Sequence, residues 1–205
     1  MKLAVLGASG HGKVVADTAR AAGWSEITFF DDAWMGKRFV THHPVVGDAA
    51  ALFRSVAEYD GVIVAIGNNR VRLEKTRALI DAGARVVSVI HPAAVVSGSS
   101  TVGEGSVIMA GSVVQADTCL GAACIINTNA SVDHDCRLAD GVHVCPGVAI
   151  SGDVVGGECA WFGVGASVRQ GMRIGADAVI GAGAAVVKDV DAKTTVIGVP
   201  AKPAS

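Results

Sequence analysis

The sequence predicts two folds in one chain: a small α/β domain over residues 1–90, then a parallel β-solenoid over residues 91–205. Three observations carry this prediction. Apolar strands alternate with helical stretches up to residue 90. From Ile90 to Val186 a bulky apolar residue returns at almost every sixth position. The chain is 51% hydrophobic yet only 4% aromatic and holds 26 glycines, a composition of small aliphatics and tight turns.

In the first part, residues 2–6 read as a buried strand running into the loop Gly7, Ala8, Ser9, Gly10, His11 and Gly12. Residues 14–22 read as a helix stopped by Gly23. Residues 27–30 form a second strand ending at Asp31 and Asp32. Residues 33–47 follow neither a helical nor a strand period and read as an ordered loop, with His42 and His43 facing solvent. A helix is predicted over 49–59 and a buried strand over 61–66, which ends in Gly67, Asn68 and Asn69. A helix over 71–82, closed by Gly83, and a strand over 86–90 complete the domain. Strands alternating with helices imply a parallel sheet covered on both faces, a Rossmann-like arrangement.

The second part is a ruler marked every six residues. Of its 17 marks from Ile90 to Val186, 15 are Ile, Leu or Val, Phe162 is aromatic, and Gly156 is empty. Four residues after most marks stands something compact, such as Ser106, Thr118, Cys124, Cys136 or Ala160. Neither a period of 3.6 nor a period of 2 holds this phase. A six-residue repeat is that of a parallel β-helix, in which short strands turn a corner every six residues around an aliphatic core. The tail after Val196 leaves the last coil, where Pro200 and Pro203 prevent further regular structure.

Several function classes drop out at this stage. A net charge of −2 gives no polyanion-binding surface, so no nucleic-acid partner is expected. No apolar run approaches the length of a membrane span. The apolar residues at the amino terminus are broken by Gly7 well short of a signal peptide. The five cysteines (Cys119, Cys124, Cys136, Cys145, Cys159) form no CxxC pair and fall among the hexads, as expected of reduced, buried thiols in a cytoplasmic protein.

Chemistry is concentrated in two places. The glycine loop follows a strand and opens a helix, the setting in which backbone N–H groups cradle phosphate. Its Gly-x-x-Gly-x-Gly spacing, in a domain of only about 90 residues, suits a mononucleotide or nucleotide sugar better than a dinucleotide. Gly10, His11, Gly12, Asp31, Asp32, Gly67 and Asn68 lie on three loops that converge on one sheet edge, and they are the candidate ligand residues. Among the hexads, His134 is flanked by Asp133 and Asp135, and a carboxylate beside imidazole is what a general base needs. His143 is a second candidate. His91, His134 and His143 differ by 43 and 9 positions, neither a multiple of six, so they share no face on which to bind zinc. No metal is expected.

These residues resemble the sugar O/N-acyltransferases of the sialic acid O-acetyltransferase NeuD group, and within it the PglD-like enzymes that acetylate UDP-linked 4-amino sugars in the bacillosamine pathway. The resemblance spans the glycine loop, Asp31 and Asp32, residues 65–69, Ile90 to Pro92, Asn127 with Thr128, His134 and its following acid, His143, and residues 198–202. It implies a left-handed β-helix and a homotrimer with active sites between adjacent subunits. Acetyl-CoA is the implied cosubstrate, with a UDP-amino-sugar as acceptor. By position, His134 is the implied general base with Asp135 beside it, and His143 contacts the thioester region. The N–H of Gly152 faces the oxyanion. Gly163, Val164 and Ala182 line the coenzyme A groove. The glycine loop, with Asp31, Asp32 and Asn68, holds UDP. The implied reaction is acetyl transfer to the 4-amino group of a UDP-linked 4-amino-4,6-dideoxy sugar. The rivals are O-acetylation of sialic acid or another sugar hydroxyl, and a non-catalytic nucleotide-sugar-binding protein. His134 beside Asp135 speaks against the last.

Overall fold

The computed structural model describes residues 1–36 and 38–204, which form two compact units, Met1–His91 and Pro92–Ser205. In the first unit, β1 (Lys2–Leu6), β2 (Glu26–Phe30), β3 (Phe39–Val40), β4 (His43–Gly47) and β5 (Gly61–Val64) make one sheet in the order β3-β4-β2-β1-β5. All neighbours are parallel except β3, which pairs antiparallel with β4 at the edge. β1 is central and its alternate residues enter two cores, which is why its sequence is apolar throughout. Ala4 and Leu6 pack with Phe30, Val62 and Val64 against Leu52 of α2 (Ala49–Ser55) and Leu79 of α3 (Asn69–Asp81). On the other face α1 (Gly10–Ala21) lies against Phe29, with the ring 3.1 Å from where a side chain on Gly12 would begin. Asp48 and Asn68 cap α2 and α3, accepting the N–H of Ala51 at 2.7 Å and of Val71 at 3.1 Å.

Residues 33–47 are not the loop expected from the sequence. A short 3-10 turn (Trp34–Gly36) leads into the β3–β4 edge hairpin; Lys37 lies outside the described residues. Along β4 burial alternates, placing His43, Val45 and Gly47 inward and Pro44 and Val46 outward. His43 is therefore buried against Phe29 while His42 alone faces solvent. With only Val45 and Val46 apolar between His, Pro and Gly, the strand shows no clear period, and a Pro is tolerated there because the strand lies near the sheet's edge. The strand expected over 86–90 is also broken: Val86 makes a single bridge to Val62, and only Val89–Ile90 is extended.

The second unit is a left-handed parallel β-helix. Two-residue strands stack into three sheets, each strand pairing with one 18 residues on, as Val113 with Ser131 and Cys119 with Arg137. Every sixth residue from Gly105 to Gly183 has φ between 55° and 73°. Of these fourteen, seven are Gly, four Asp and one Asn, the residues that enter the left-handed region at least cost; Ala123 and Cys159 are the exceptions. The hexad marks fill the prism interior. The compact residues four places later are buried too, and they bridge coils. Ser106 donates to the Gly121 carbonyl at 3.0 Å and accepts the Cys124 N–H at 2.9 Å. Thr118 does the same with Asp133 and Cys136. The thiols of Cys124 and Cys136 then donate to the carbonyls of Ala139 and Ser151, both at 3.3 Å. All five cysteines are thiols rather than disulfides, and four are buried. Among the described residues no helix is long and apolar enough to cross a membrane.

Gly156, the empty mark, leaves no void. A Cβ there would stand 2.8 Å from Leu138 Cδ2 and 3.6 Å from Phe162 Cζ, so the oversized Phe162 and its neighbour fill the space. Gly156→Val is therefore expected to overpack the coil and cost about 1–3 kcal/mol. Adding Phe162→Leu to that variant should restore part of the loss. Thermal unfolding of the single and double variants at one protein concentration checks this; equal losses would mean that Phe162 does not fill the Gly156 position.

Candidate active site

The outward corners of the coil carry the polar side chains. His134 follows strand Ser131–Val132 and directly precedes Asp135, one of the left-handed turn residues (φ 60°). That turn swings the Asp135 carboxylate back onto the ring, with Oδ2 2.8 Å from His134 Nδ1. A carboxylate only accepts, so Nδ1 carries the proton and Nε2 of the neutral ring is left as the basic atom. The bond to Asp135, and after it the nearby charge of Asp133, raise the His134 pKa above its ordinary value. Asp133 also accepts the His134 backbone N–H at 2.9 Å.

One coil further on, Gly152 lies beneath this imidazole. A Cβ there would fall 2.5 Å from Cε1 and 2.6 Å from Nε2, so any larger residue would displace the ring. The neighbouring Asp153 N–H is taken up by the His134 carbonyl at 2.9 Å. The Gly152 N–H makes no hydrogen bond among the described residues, although the residue is buried.

His143 belongs to a different sheet of the prism. It opens strand His143–Val144, pairs with Ile125 and Trp161, and is buried with its ring edge-on to Trp161, centroids 4.3 Å apart. Asn127 Oδ1 accepts the Thr128 N–H at 2.8 Å, so its amide nitrogen faces His143 Nε2 at 3.3 Å. This donation assigns the remaining proton of a neutral His143 to Nδ1. At the corner after Trp161–Phe162, Gly163 is so close to the next coil that a Cβ would stand 2.7 Å from the Ala182 nitrogen. Gly163 and Ala182 thus sit together, with exposed Val164 beside them.

In the first unit, a crevice of about 240 Å³ opens at the carboxyl ends of β1, β2 and β5. The chain moves outward from β1 to β2 and β4, then returns to β5 on the other side of β1, and such a reversal leaves a crevice at the strand ends. Gly7, Ser9, Asp31, Asp32, Gly67 and Lys75 are among its lining. Asp31 ties the loops together, accepting the N–H of Ala8 at 2.7 Å and of Ala33 at 2.9 Å. Asp32 accepts the Ala49 N–H at 3.0 Å through Oδ1.

Gly10, His11, Gly12 and Asn68 do not line the crevice. Gly10 only opens the helix. Gly12 is pressed against the Gly7 carbonyl and Phe29, where a side chain has no room. Burial, and then the charge of Arg72, lower the His11 pKa to about 4, so the ring is neutral. Asn68 caps α3 through its Oδ1.

Sequence reasoning missed three residues here. Ser9 was passed over between glycines. Arg72 is wholly buried and donates to the carbonyls of Ile66 at 3.0 Å and Gly67 at 3.1 Å, fixing the loop after β5. Lys75 lies one turn further along the same side of α3. The available signal was a pair of cations three apart on a helix, which place both on one face. The candidates thus fall into three groups: His134, Asp135 and Gly152; His143, Gly163, Val164 and Ala182; and the crevice. Among the described residues no cluster of His, Cys, Asp and Glu is arranged to hold a metal.

Comparison with known proteins accords with this architecture. Residues 2–79 match the PglD N-terminal domain family. A GDP-perosamine N-acetyltransferase of Escherichia coli O157:H7 is 35% identical over 157 residues, covering 77% of this chain and 70% of that protein. The acetyltransferase domain of PglB from Neisseria gonorrhoeae FA1090, solved in complex with acetyl coenzyme A, superposes with a TM-score of 0.95 at 45% identity, over 99% of this chain and 98% of that one. PerB from Caulobacter crescentus, solved with CoA and GDP-perosamine, superposes at 0.92 with 43% identity, over 100% and 98%. The chain belongs to the PglD-like family of acetyl-CoA-dependent sugar N-acetyltransferases.

Proposed function

We propose that this protein transfers the acetyl group of acetyl-CoA to the 4-amino group of a UDP-linked 4-amino-4,6-dideoxy sugar, with His134 as general base. The observation that carries this reading is the His134 geometry. Nδ1 is held by Asp135, Nε2 is free to accept a proton, and an uncommitted buried N–H at Gly152 lies under the same ring. In the reaction, the amine nitrogen attacks the thioester carbonyl while Nε2 takes its proton. The oxyanion is held by the Gly152 N–H, and collapse expels the coenzyme A thiolate, which recovers a proton from the imidazolium. Every bond is made and broken without a covalent acyl-enzyme.

His143, Gly163, Val164 and Ala182 form the acetyl-CoA groove in this reading. They occupy another side of the prism from His134, so one chain does not assemble the site alone. A homotrimer brings the His134 corner of one copy to the His143 face of the next, and the site lies between them. The crevice, with Asp31 and Asp32, holds the nucleotide. A GDP-linked amino sugar is the second reading, favoured by the GDP-perosamine enzymes among the relatives. Turnover of acetyl-CoA with a panel of UDP- and GDP-linked 4-amino sugars and their 4-hydroxy counterparts decides among these readings. Acetylation of hydroxy sugars alone would overturn the proposal.

His134→Ala should lower kcat by about 10²–10⁴-fold, the range for loss of acid–base assistance, with both KM values little changed. The base works only when neutral, so the acidic limb of kcat/KM should track the His134 pKa, which the partner carboxylates raise. Asp135→Asn should shift that limb to lower pH and cost less than His134→Ala. A pH–rate series on the three proteins checks both; an Ala variant within threefold of wild type would make His134 structural.

A further inference from the structure

The crevice carries a charge problem. Its lining includes two carboxylates, Asp31 and Asp32, yet its proposed occupant is the anionic part of a nucleotide sugar. Asp31 is committed, each oxygen already accepting a backbone N–H. Asp32 has one oxygen on the start of α2. Among the described residues the one cation in the lining is Lys75, on α3 opposite the glycine loop. Lys75 is half-buried, and among the described residues it forms no ion pair. Its stem is partly buried along the crevice wall while its ammonium group has no ion-pair partner among those residues, so an anion or strong acceptor held in the crevice is what would complete it. Glutamate or aspartate side chains do not fill that role here, although two stand in the same crevice.

We infer that Lys75 is a ligand-binding residue that pairs with the diphosphate of the nucleotide sugar across the crevice from the glycine loop. The assignment rests on the reading of this crevice as the nucleotide site. It divides the work between two walls. On one wall, Ser9 and the amino end of α1 beside it offer backbone N–H groups, those of Gly7 and Ala8 being taken by Phe30 and Asp31, and their partial positive charge suits one phosphate. On the other, Lys75 supplies a full charge on a flexible stem that can follow the second phosphate. Arg72, one turn earlier, cannot share this task, because its guanidinium is spent on the Ile66 and Gly67 carbonyls and on Asn69 Oδ1. The consequence is a preference for nucleoside diphosphates over monophosphates that resides in one side chain. Asp32 then keeps an oxygen for the N–H donors of the base or the hydroxyls of the ribose, and so need not approach a phosphate.

The test is calorimetric titration of the full chain with UMP, UDP, GMP and GDP, in the wild type, Lys75→Gln and Lys75→Arg. The wild type should bind the matching diphosphate about tenfold or more tighter than its monophosphate, the usual reach of one charge-assisted contact. In Lys75→Gln that ratio should fall close to one, while monophosphate affinity and the KM for acetyl-CoA stay near wild type. Lys75→Arg should keep most of the ratio. An unchanged ratio in Lys75→Gln would overturn the assignment. A wild type that binds none of the four nucleotides would instead overturn the reading of the crevice as a nucleotide site.

Discussion

The backbone of the second unit must enter the left-handed region once every six residues, and most of the structure depends on that constraint. Each entry turns the chain by one side of a triangle, so the following aliphatic residue again points inward and the strands of successive coils fall into register. Gly, Asp and Asn meet the constraint with least strain. Asp135 shows how a structural requirement and a chemical one coincide: the turn that needs a short polar side chain also points that side chain back at His134. Gly152, one coil later, supplies the flat surface on which the imidazole rests. The proposed catalytic corner is thus a regular corner of the coil that carries a His.

The first unit is organised by a different rule. A parallel sheet whose strand order reverses beside β1 leaves a gap at its carboxyl edge, and three loops close around that gap. Their shape is held mainly by side-chain to backbone bonds. Asp31 joins the glycine loop to the end of β2, and buried Arg72 holds the loop after β5. These groups shape the crevice without needing to touch its contents. Residues that look like ligands in the sequence also serve as scaffolding, Gly12 by letting α1 approach the Gly7 carbonyl and Asn68 by capping α3 through Oδ1.

The coil was legible because a bulky apolar mark every six residues has no competing explanation, and the contact of His134 with Asp135 was legible because a His between two acids stands out among the hexads. The phase of Gly, Asp and Asn three residues after each mark was an equally regular signal. The edge hairpin at residues 39–47 was not legible. His43 and Gly47 face inward there, and an inward His or Gly gives no alternation that a sequence reader would count. Lys75 was hidden for a related reason: a Lys on a helix reads as solvated unless one knows that its face borders a crevice. The separation of the two histidines was legible as well, because nine residues is not a multiple of six. His134 and His143 lie nine residues apart, and the coil puts them on different sides of the prism.

That separation supports a site built from two copies of the chain, and it can be tested directly. Chains carrying His134→Ala and chains carrying His143→Ala would be co-expressed, and acetyl transfer by the mixed assemblies compared with each variant alone. If neighbouring copies share each site around a closed ring, random mixing should recover about a quarter of wild-type activity from two nearly inactive parents. Mixed assemblies no more active than their parents would place both histidines in a site within one chain and contradict the shared-site account.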